Sequence, residues 1–535
     1  MNPAAATTPS PLRSQLPLIL ALALAAGAEA FTTSAVGLAL PRIAAGFGAS
    51  PDEISWAVTL YLAAYAACLP LSAWLSNRLG QRRYLAVSMT AYLLASLGCA
   101  LSPSLPVFLA LRTLQGAAGS GFIARAIFTF TKEFRPPVLF RVFYIFIGAF
   151  GLRALGLPAG GWLVDHLSWP WLFALPVLVL GLGALPALYF SREVWPRRHQ
   201  PAPDFTGLAL LLAGLGALLV ALFRGQRDDW FASPVIVTLL GIAVLAGPLY
   251  FGRLRRRAGR TPVFTADSLH HRGMVVGVAL SFLAGIMMVG GVFVLPQFLL
   301  RVTGADSCRA GWILSVDAFA MTLGLALAVT VFSRVLTRAL LTVSGLLFAA
   351  AMLLFAFRIT SATPVAALCL PMALHGLGVG FALPPIGIFS FRAIGANHDH
   401  NSEGRAWHYT ARQVGGAVAV AFAVLLLDRR ATVHSSALTA HLTALSPLTQ
   451  QTVAAIGRGL AGHGLAPALG PDGAGFILSR LVARESTVLA FRDFFLATTV
   501  VGFAVSLLGF GLPKAARPVP VRINRDENPL TRKIP

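Results

Sequence analysis

Residues 54–101 read ISWAVTLYLAAYAACLPLSAWLSNRLGQRRYLAVSMTAYLLASLGCAL: an apolar run, a short gap holding Arg78, Arg82 and Arg83, and a second apolar run. The hydrocarbon core of a bilayer needs about 20 mostly apolar residues per helical crossing. The runs at 54–76 and 84–101 meet that need, so the stretch reads as two membrane helices joined by a basic turn. Outward from this pair the pattern repeats, with further spans fitting near 16–40, 105–130, 139–164, 171–190, 205–224, 233–252, 275–299, 309–332, 339–357, 364–391, 406–428 and 491–513. Cations collect in every second gap: Lys132, Arg135 and Arg141 after the fourth span, Arg192, Arg197 and Arg198 after the sixth, and Arg253, Arg255, Arg256, Arg257 and Arg260 after the eighth. Arg334, Arg338, Arg392 and Arg405 continue the series, and Lys514 to Lys533 end it. Positive charge near span ends stays cytoplasmic. Fourteen spans with both termini inside are therefore expected, in an all-α integral membrane protein.

Composition excludes most other classes. Of the 535 residues 56% are hydrophobic and 12% charged, more apolar material than a soluble core absorbs. The net charge of +22 is spread over short gaps beside anionic headgroups and is not gathered on one face, so it points to membrane lipid and away from nucleic acid. Cys68, Cys99 and Cys369 fall inside spans and Cys308 in an outer gap, a spacing that gives no disulfide framework or metal site. The run at 16–40 is too long for the apolar core of a signal peptide. No Gly-x-x-x-x-Gly-Lys-Ser/Thr loop occurs, so neither ATP nor another cofactor is expected.

The spans group as six, two and six. The basic turn at 77–83 has a weaker counterpart at 333–338, and Gln115-Gly116 has one at His375-Gly376. Such echoes suggest two related six-helix bundles with a substrate site between them near the midplane. The expected organisation is a first bundle over 1–190, linkers with two extra central helices over 191–273, a second bundle over 274–513 and a basic cytoplasmic tail over 514–535. The stretch 429–490 is read as external, with amphipathic helices near 447–463 and 473–490. It serves either as a cap or as a docking surface for a periplasmic partner.

Ionisable residues inside spans are the candidate site. A charge at the bilayer centre costs roughly 2.5–3.5 kcal/mol on insertion scales and so marks a pathway by default. Glu29, midway along the first span, is either a proton or substrate carboxylate or half of a static ion pair. A carboxyl group whose burial and cationic neighbours change as access alternates can load and release a proton. Arg153, near the middle of the fifth span, either pairs with Glu29 or binds an anionic substrate group. Asp317 in the tenth span is a second candidate carboxylate. His375 in the twelfth either titrates or only hydrogen-bonds a neighbour. Arg125 lies nearer the cytoplasmic end of the fourth span and is expected to snorkel. The series His398, Asp399, His400, Glu403 and His408 matches no standard metal spacing.

The turn Ala73-Trp74-Leu75-Ser76-Asn77-Arg78-Leu79-Gly80-Gln81-Arg82-Arg83 resembles the Gly-x-x-x-Asp-Arg-x-Gly-x-Arg-Arg element of the major facilitator superfamily, with Ala73 and Asn77 in place of its first Gly and its Asp. Arg112-x-x-Gln115-Gly116 is similar to the family's proton-linked Arg-x-x-Gln-Gly element. Gly156-Leu157-Pro158-Ala159-Gly160-Gly161 resembles its antiporter element with the proline displaced by one. Fourteen spans, Leu295-Pro296-Gln297-Phe298, Gly376-Leu377-Gly378-Val379-Gly380 and Arg412-Gln413-x-Gly415-Gly416 look like the EmrB-type drug:proton antiporter branch. The resemblance implies conformational gating by Asn77, Arg78, Gly80, Arg82, Arg83, Gln115, Gly116, Gly156, Pro158, Gly160, Arg412 and Gln413. Proton coupling would involve Glu29 and Arg112. Relatives in that branch carry an acid where this chain has Thr32.

The expected function is a non-enzymatic antiporter of the bacterial inner membrane that exchanges hydrophobic or amphipathic compounds for protons by alternating access. Candidate partners are a periplasmic membrane-fusion adaptor and an outer-membrane channel. A dedicated exporter of one endogenous metabolite, such as a siderophore or an aromatic acid, is the alternative within this fold. A membrane-embedded enzyme or sensor is the alternative outside it.

Overall fold

The structure, a computed structural model, describes residues 12–134, 138–191, 204–255, 267–289, 293–331, 337–394, 398–442, 446–462 and 470–512. All described secondary structure is helical, as hydrocarbon demands of a chain that must satisfy its backbone internally. Twelve of the described helices are long and apolar enough to cross a bilayer; Gln81–Ala100 and the shorter Arg272–Met288 complete the fourteen positions.

The first bundle contains α1 (Leu12–Phe47), α2 (Pro51–Leu79), α3 (Gln81–Ala100), α4 (Leu105–Thr131), α5 (Val138–His166) and α6 (Trp171–Tyr189). The extra pair is α7 (Phe205–Arg224) and α8 (Pro234–Arg255). The second bundle holds α9 (Arg272–Val289), α10 (Ser307–Val331), α11 (Thr337–Arg358), α12 (Cys369–Ile394), α13 (His398–Ala440) and α14 (Gly470–Gly511). Chain chemistry sets several boundaries. Ser50 caps α2 by accepting from the Glu53 amide at 3.2 Å while Glu53 accepts from the Ser50 amide at 2.8 Å. Gly80 turns the chain into α3 at φ 83°, a conformation open to glycine at little cost.

The spans are less continuous than the apolar runs imply. α4 breaks at Ser120 and Gly121, α5 at Gly151, and α6 loosens into a π-helical turn over Val179–Ala184. The ninth span, expected as one run over 275–299, ends its first helix at Val289, and a short helix follows at Leu295–Arg301. The intervening Gly290-Gly291 lies outside the described residues, as do most of both linkers and the tail. At the other extreme, α13 has 43 residues and α14 has 42. At 1.5 Å per residue each is about 60 Å long, twice a hydrocarbon core. The stretch 429–490 therefore contains continuations of both helices, with a further helix, Pro447–Gly462, packed on α14.

Large apolar side chains face outward around the molecule, among them Leu94, Leu182, Val244 and Leu507; a soluble protein of this kind would aggregate. α7 and α8 are the least buried spans. They lie at the periphery, with α7 bridging α2 of the first bundle and α13 of the second. One polar contact ties this pair down. The Arg224 guanidinium, 3% exposed, donates to Asp52 at 3.0 Å, to Asp228 at 2.6 Å and to Ser55 at 2.9 Å, and lies 4.5 Å from the Trp56 ring centre. Asp52 is over half exposed, so water recovers it when its partner is lost. Arg224→Ala is accordingly expected to cost only about 1–2 kcal/mol, read as a lower Tm of the purified protein without loss of the two main bundles.

Candidate functional site

The two bundles meet chiefly through α5 against α10 and α2 against α13. Small residues bring the first pair together: a methyl group on Gly161 would meet the Cys308 backbone at 2.8 Å, and one on Gly311 would meet Pro158 at 2.9 Å. Within the first bundle Gly156 and Gly160 seat α5 against Phe31 and Ala35 of α1, and Gly116 seats α4 against the Tyr61 backbone. Close backbone approach of this kind is how membrane helices pack without a hydrophobic driving force between them.

Polar groups from both bundles converge on this seam. On the first-bundle side Glu29 is 6% exposed. One of its carboxylate oxygens accepts from the Tyr61 hydroxyl at 2.9 Å and the Thr33 hydroxyl at 3.0 Å. The Arg112 guanidinium, 1% exposed, lies over the face of the same tyrosine at 4.2 Å from the ring centre. Its Nη1 donates to Gln115, whose amide nitrogen donates to Ser96 at 2.7 Å. Tyr61 thus links the cation on its face to the acid at its hydroxyl. Its electron-rich ring stabilises the guanidinium, and Arg112 acts on Glu29 through space.

On the second-bundle side His375 and Asp317 form a buried pair, 2% and 7% exposed. Imidazole Nδ1 lies 2.5 Å from Asp317 Oδ1, and Nε2 lies 2.9 Å from the Met287 carbonyl oxygen. A carbonyl oxygen only accepts, so Nε2 carries a hydrogen. Nδ1 and Oδ1 at that separation require one proton between them, since two lone pairs would repel. Either the imidazolium donates to the carboxylate or the carboxylic acid donates to the imidazole, and three helices (α9, α10 and α12) fix the contact. Gly376 lets α12 approach closely enough; a methyl there would stand 2.9 Å from Ala320 on α10.

Arg153 stands between these halves, two residues past the break in α5. The sequence allowed a direct pair with Glu29, but the structure gives Glu29 to Tyr61 and Thr33, and no ion pair among the described residues involves Arg153. It acts electrostatically on Asp317 most strongly, then on Glu29, and also on His375. Its charge is thus felt by an acid of each bundle.

The remaining candidates occupy other places. Gly80 forms the turn described above, Arg82 donates to the Tyr189 carbonyl, Arg78 lies 5.2 Å from the Trp74 ring centre, Arg83 is exposed and Asn77 is half-buried. Arg412 lies 4.6 Å from the Tyr409 ring centre, with half-buried Gln413 beside it on α13. Thr32 donates to the Ala28 carbonyl at 2.8 Å and faces no acid of the site. His408 pairs with Ser281 at 2.5 Å; the side chains of 398–403 lie outside the described residues. Arg125 is a correction. Expected to snorkel, it is 2% exposed, with its guanidinium 4.8 Å from the Phe128 ring centre. Tyr61 and Thr33 escaped sequence reading altogether. Their spacing carried a signal: Thr33 follows Glu29 by four residues, and Tyr61 and Tyr65 share one face of α2.

Two helical bundles that meet over buried ionisable groups are the arrangement of a membrane transporter. The chain belongs to the Major Facilitator Superfamily, whose family model matches residues 22–420. It is 25% identical over 447 residues to the probable multidrug resistance protein EmrY of Escherichia coli K12, covering 83% of this chain and 86% of that one. It is 26% identical over 436 residues to the multidrug export protein EmrB of Haemophilus influenzae, covering 81% and 84%. Among solved structures, the proton:xylose symporter XylE bound to 6-bromo-6-deoxy-D-glucose aligns with a TM-score of 0.57 at 12% identity, covering 92% and 96%. A POT family transporter in complex with 5-aminolevulinic acid aligns at 0.59 and 13%, covering 92% and 94%. Those two share the fold. The chain is therefore an EmrB-type, multi-pass transporter of this superfamily.

Proposed function

We propose that this protein is a proton-coupled antiporter that exports hydrophobic or amphipathic compounds across a bacterial inner membrane, with both termini cytoplasmic. What supports the reading is Arg153, a cation in α5 whose charge acts on Glu29 of the first bundle and on Asp317 of the second. Alternating access tilts one bundle against the other around such a midplane site. A tilt that moves Arg153 toward one acid moves it away from the other, so the proton affinities of the two acids change in opposite senses. Substrate release and proton uptake are then joined through one charge. The names of the relatives, multidrug resistance and multidrug export, support an amphipathic cargo. The basic gaps support the orientation, and the long helices α13 and α14 offer a periplasmic membrane-fusion adaptor a surface to meet.

The test is purified protein in sealed vesicles with an imposed pH gradient, following accumulation of a fluorescent amphiphile. Accumulation that a protonophore abolishes is the expected result. Accumulation indifferent to the protonophore removes the proton from the mechanism.

A further inference from the structure

A second cluster of cations lies on the same seam, toward the membrane face that carries Gly80. Arg125 of α4 and Arg405 of α13 both approach one ring, Phe128, with guanidinium carbons 4.8 Å and 5.7 Å from its centre. Arg412, two turns along α13, lies over Tyr409, which packs with Tyr65, Leu69 and Ala124. The bundles thus present cations to each other across an aromatic floor.

Arg125 has an unbalanced charge. It is 2% exposed, and its buried Nε has no hydrogen-bond partner. Among the described residues the titratable groups that act on it are Tyr84, Arg405 and Tyr409, with no carboxylate among them. Removing an ion from water is costly even after relaxation, and contact with an aromatic face returns only part of that cost. Arg405 adds repulsion. The balance calls for a negative group between the bundles. A compact oxyanion suits a guanidinium fork, and the surrounding Tyr65, Phe128 and Tyr409 suit an apolar body attached to it.

We propose that Arg125, with Arg405 and Arg412, forms a binding site for an organic oxyanion: a charged oxygen group on an apolar body, seated between the bundles. This deepens the exporter reading by naming a ligand class. It rests on that reading only for the anion's onward passage, not for its binding. A carboxylate or sulfonate cargo and the phosphate of an anionic lipid share the required chemistry.

The test is equilibrium binding, with no gradient, to protein in phosphatidylcholine nanodiscs. The probes are 1-naphthoate and its cationic counterpart 1-naphthylmethylammonium. Arg125→Gln is expected to weaken naphthoate by ~10-fold or more, the loss of one charged hydrogen-bond pair, and to leave the ammonium probe within ~2-fold. Arg125→Lys keeps the charge but not the fork, and falls between. It also serves if the glutamine variant does not fold. Adding phosphatidylglycerol separates the sources. Arg125-dependent naphthoate binding that the lipid does not displace assigns the site to cargo. A rise in Tm with phosphatidylglycerol that needs Arg125 assigns it to lipid. Either result sustains the oxyanion site. Naphthoate affinity and lipid response both unchanged in Arg125→Gln and Arg125→Lys overturn it. Failure of gradient-driven transport in the wild type would instead strike the antiport proposal and leave this binding result standing.

Discussion

Glu29→Gln is expected to leave substrate exchange across the membrane intact while abolishing uphill accumulation. Glutamine keeps the size of the side chain and can still accept from Tyr61 and Thr33, which donate to Glu29 at 2.9 Å and 3.0 Å. Helix packing around it is therefore retained, and only the exchangeable proton and the charge are lost. One charge crossing 100 mV is worth about 2.3 kcal/mol. A total driving force of ~150 mV therefore yields ~3.5 kcal/mol per proton, a concentration ratio of roughly 300 at ~1.4 kcal/mol per tenfold. The variant should fall from that order of ratio to near one, measured as steady-state amphiphile inside and outside vesicles under an imposed gradient. Undiminished accumulation would remove Glu29 from the coupling step.

The second large effect is expected at Asp317. The Met287 carbonyl holds a hydrogen on His375 Nε2, so Nδ1 faces Asp317 at hydrogen-bond distance. Asp317→Asn lets the amide nitrogen donate to Nδ1 and preserves the contact, but the carboxylate charge is lost. Arg153 then has one acid to face instead of two. Proton-driven accumulation should again fall by the factor of roughly 300 that one proton supplies, and the pH profile of transport should lose one of its limbs. His375→Gln separates this from a packing effect, since it removes the imidazole and keeps Asp317 beside Arg153. If Asp317→Asn transports with wild-type drive and an unchanged pH profile, the pair is structural.

The fold was legible because hydrocarbon imposes a strong and simple rule: about 20 apolar residues per crossing, with cations at alternate ends. The runs on either side of Arg78, Arg82 and Arg83 needed no tertiary information. The breaks did. Gly121 and Gly151 interrupt α4 and α5 inside unbroken apolar runs, where hydropathy carries no signal. The reach of α13 and α14 past the bilayer depends on packing between two helices whose outer parts have ordinary soluble composition.

The candidate site was partly legible for a related reason. An ionisable residue inside a span stands out, which marked Glu29, Arg112, Arg153, Asp317 and His375. What each one faces does not follow from its own span. Of the two partners open to Arg153, Glu29 is taken instead by Tyr61 and Thr33, whose hydroxyls pass unnoticed in a span because they cost little there. The pairing of Asp317 with His375 joins residues 58 positions apart. Arg125 is buried where snorkelling was expected, since its burial is set by the helices packed on α4 and not by its own span.

The most direct measurement is of both flows at once. Vesicles containing the protein and a pH-sensitive dye, with no imposed pH gradient, are given substrate on one side only. If substrate flowing down its gradient drives protons the other way, in fixed proportion and with loss in Glu29→Gln, the shared-cation account holds. Substrate movement without any accompanying proton movement would contradict it.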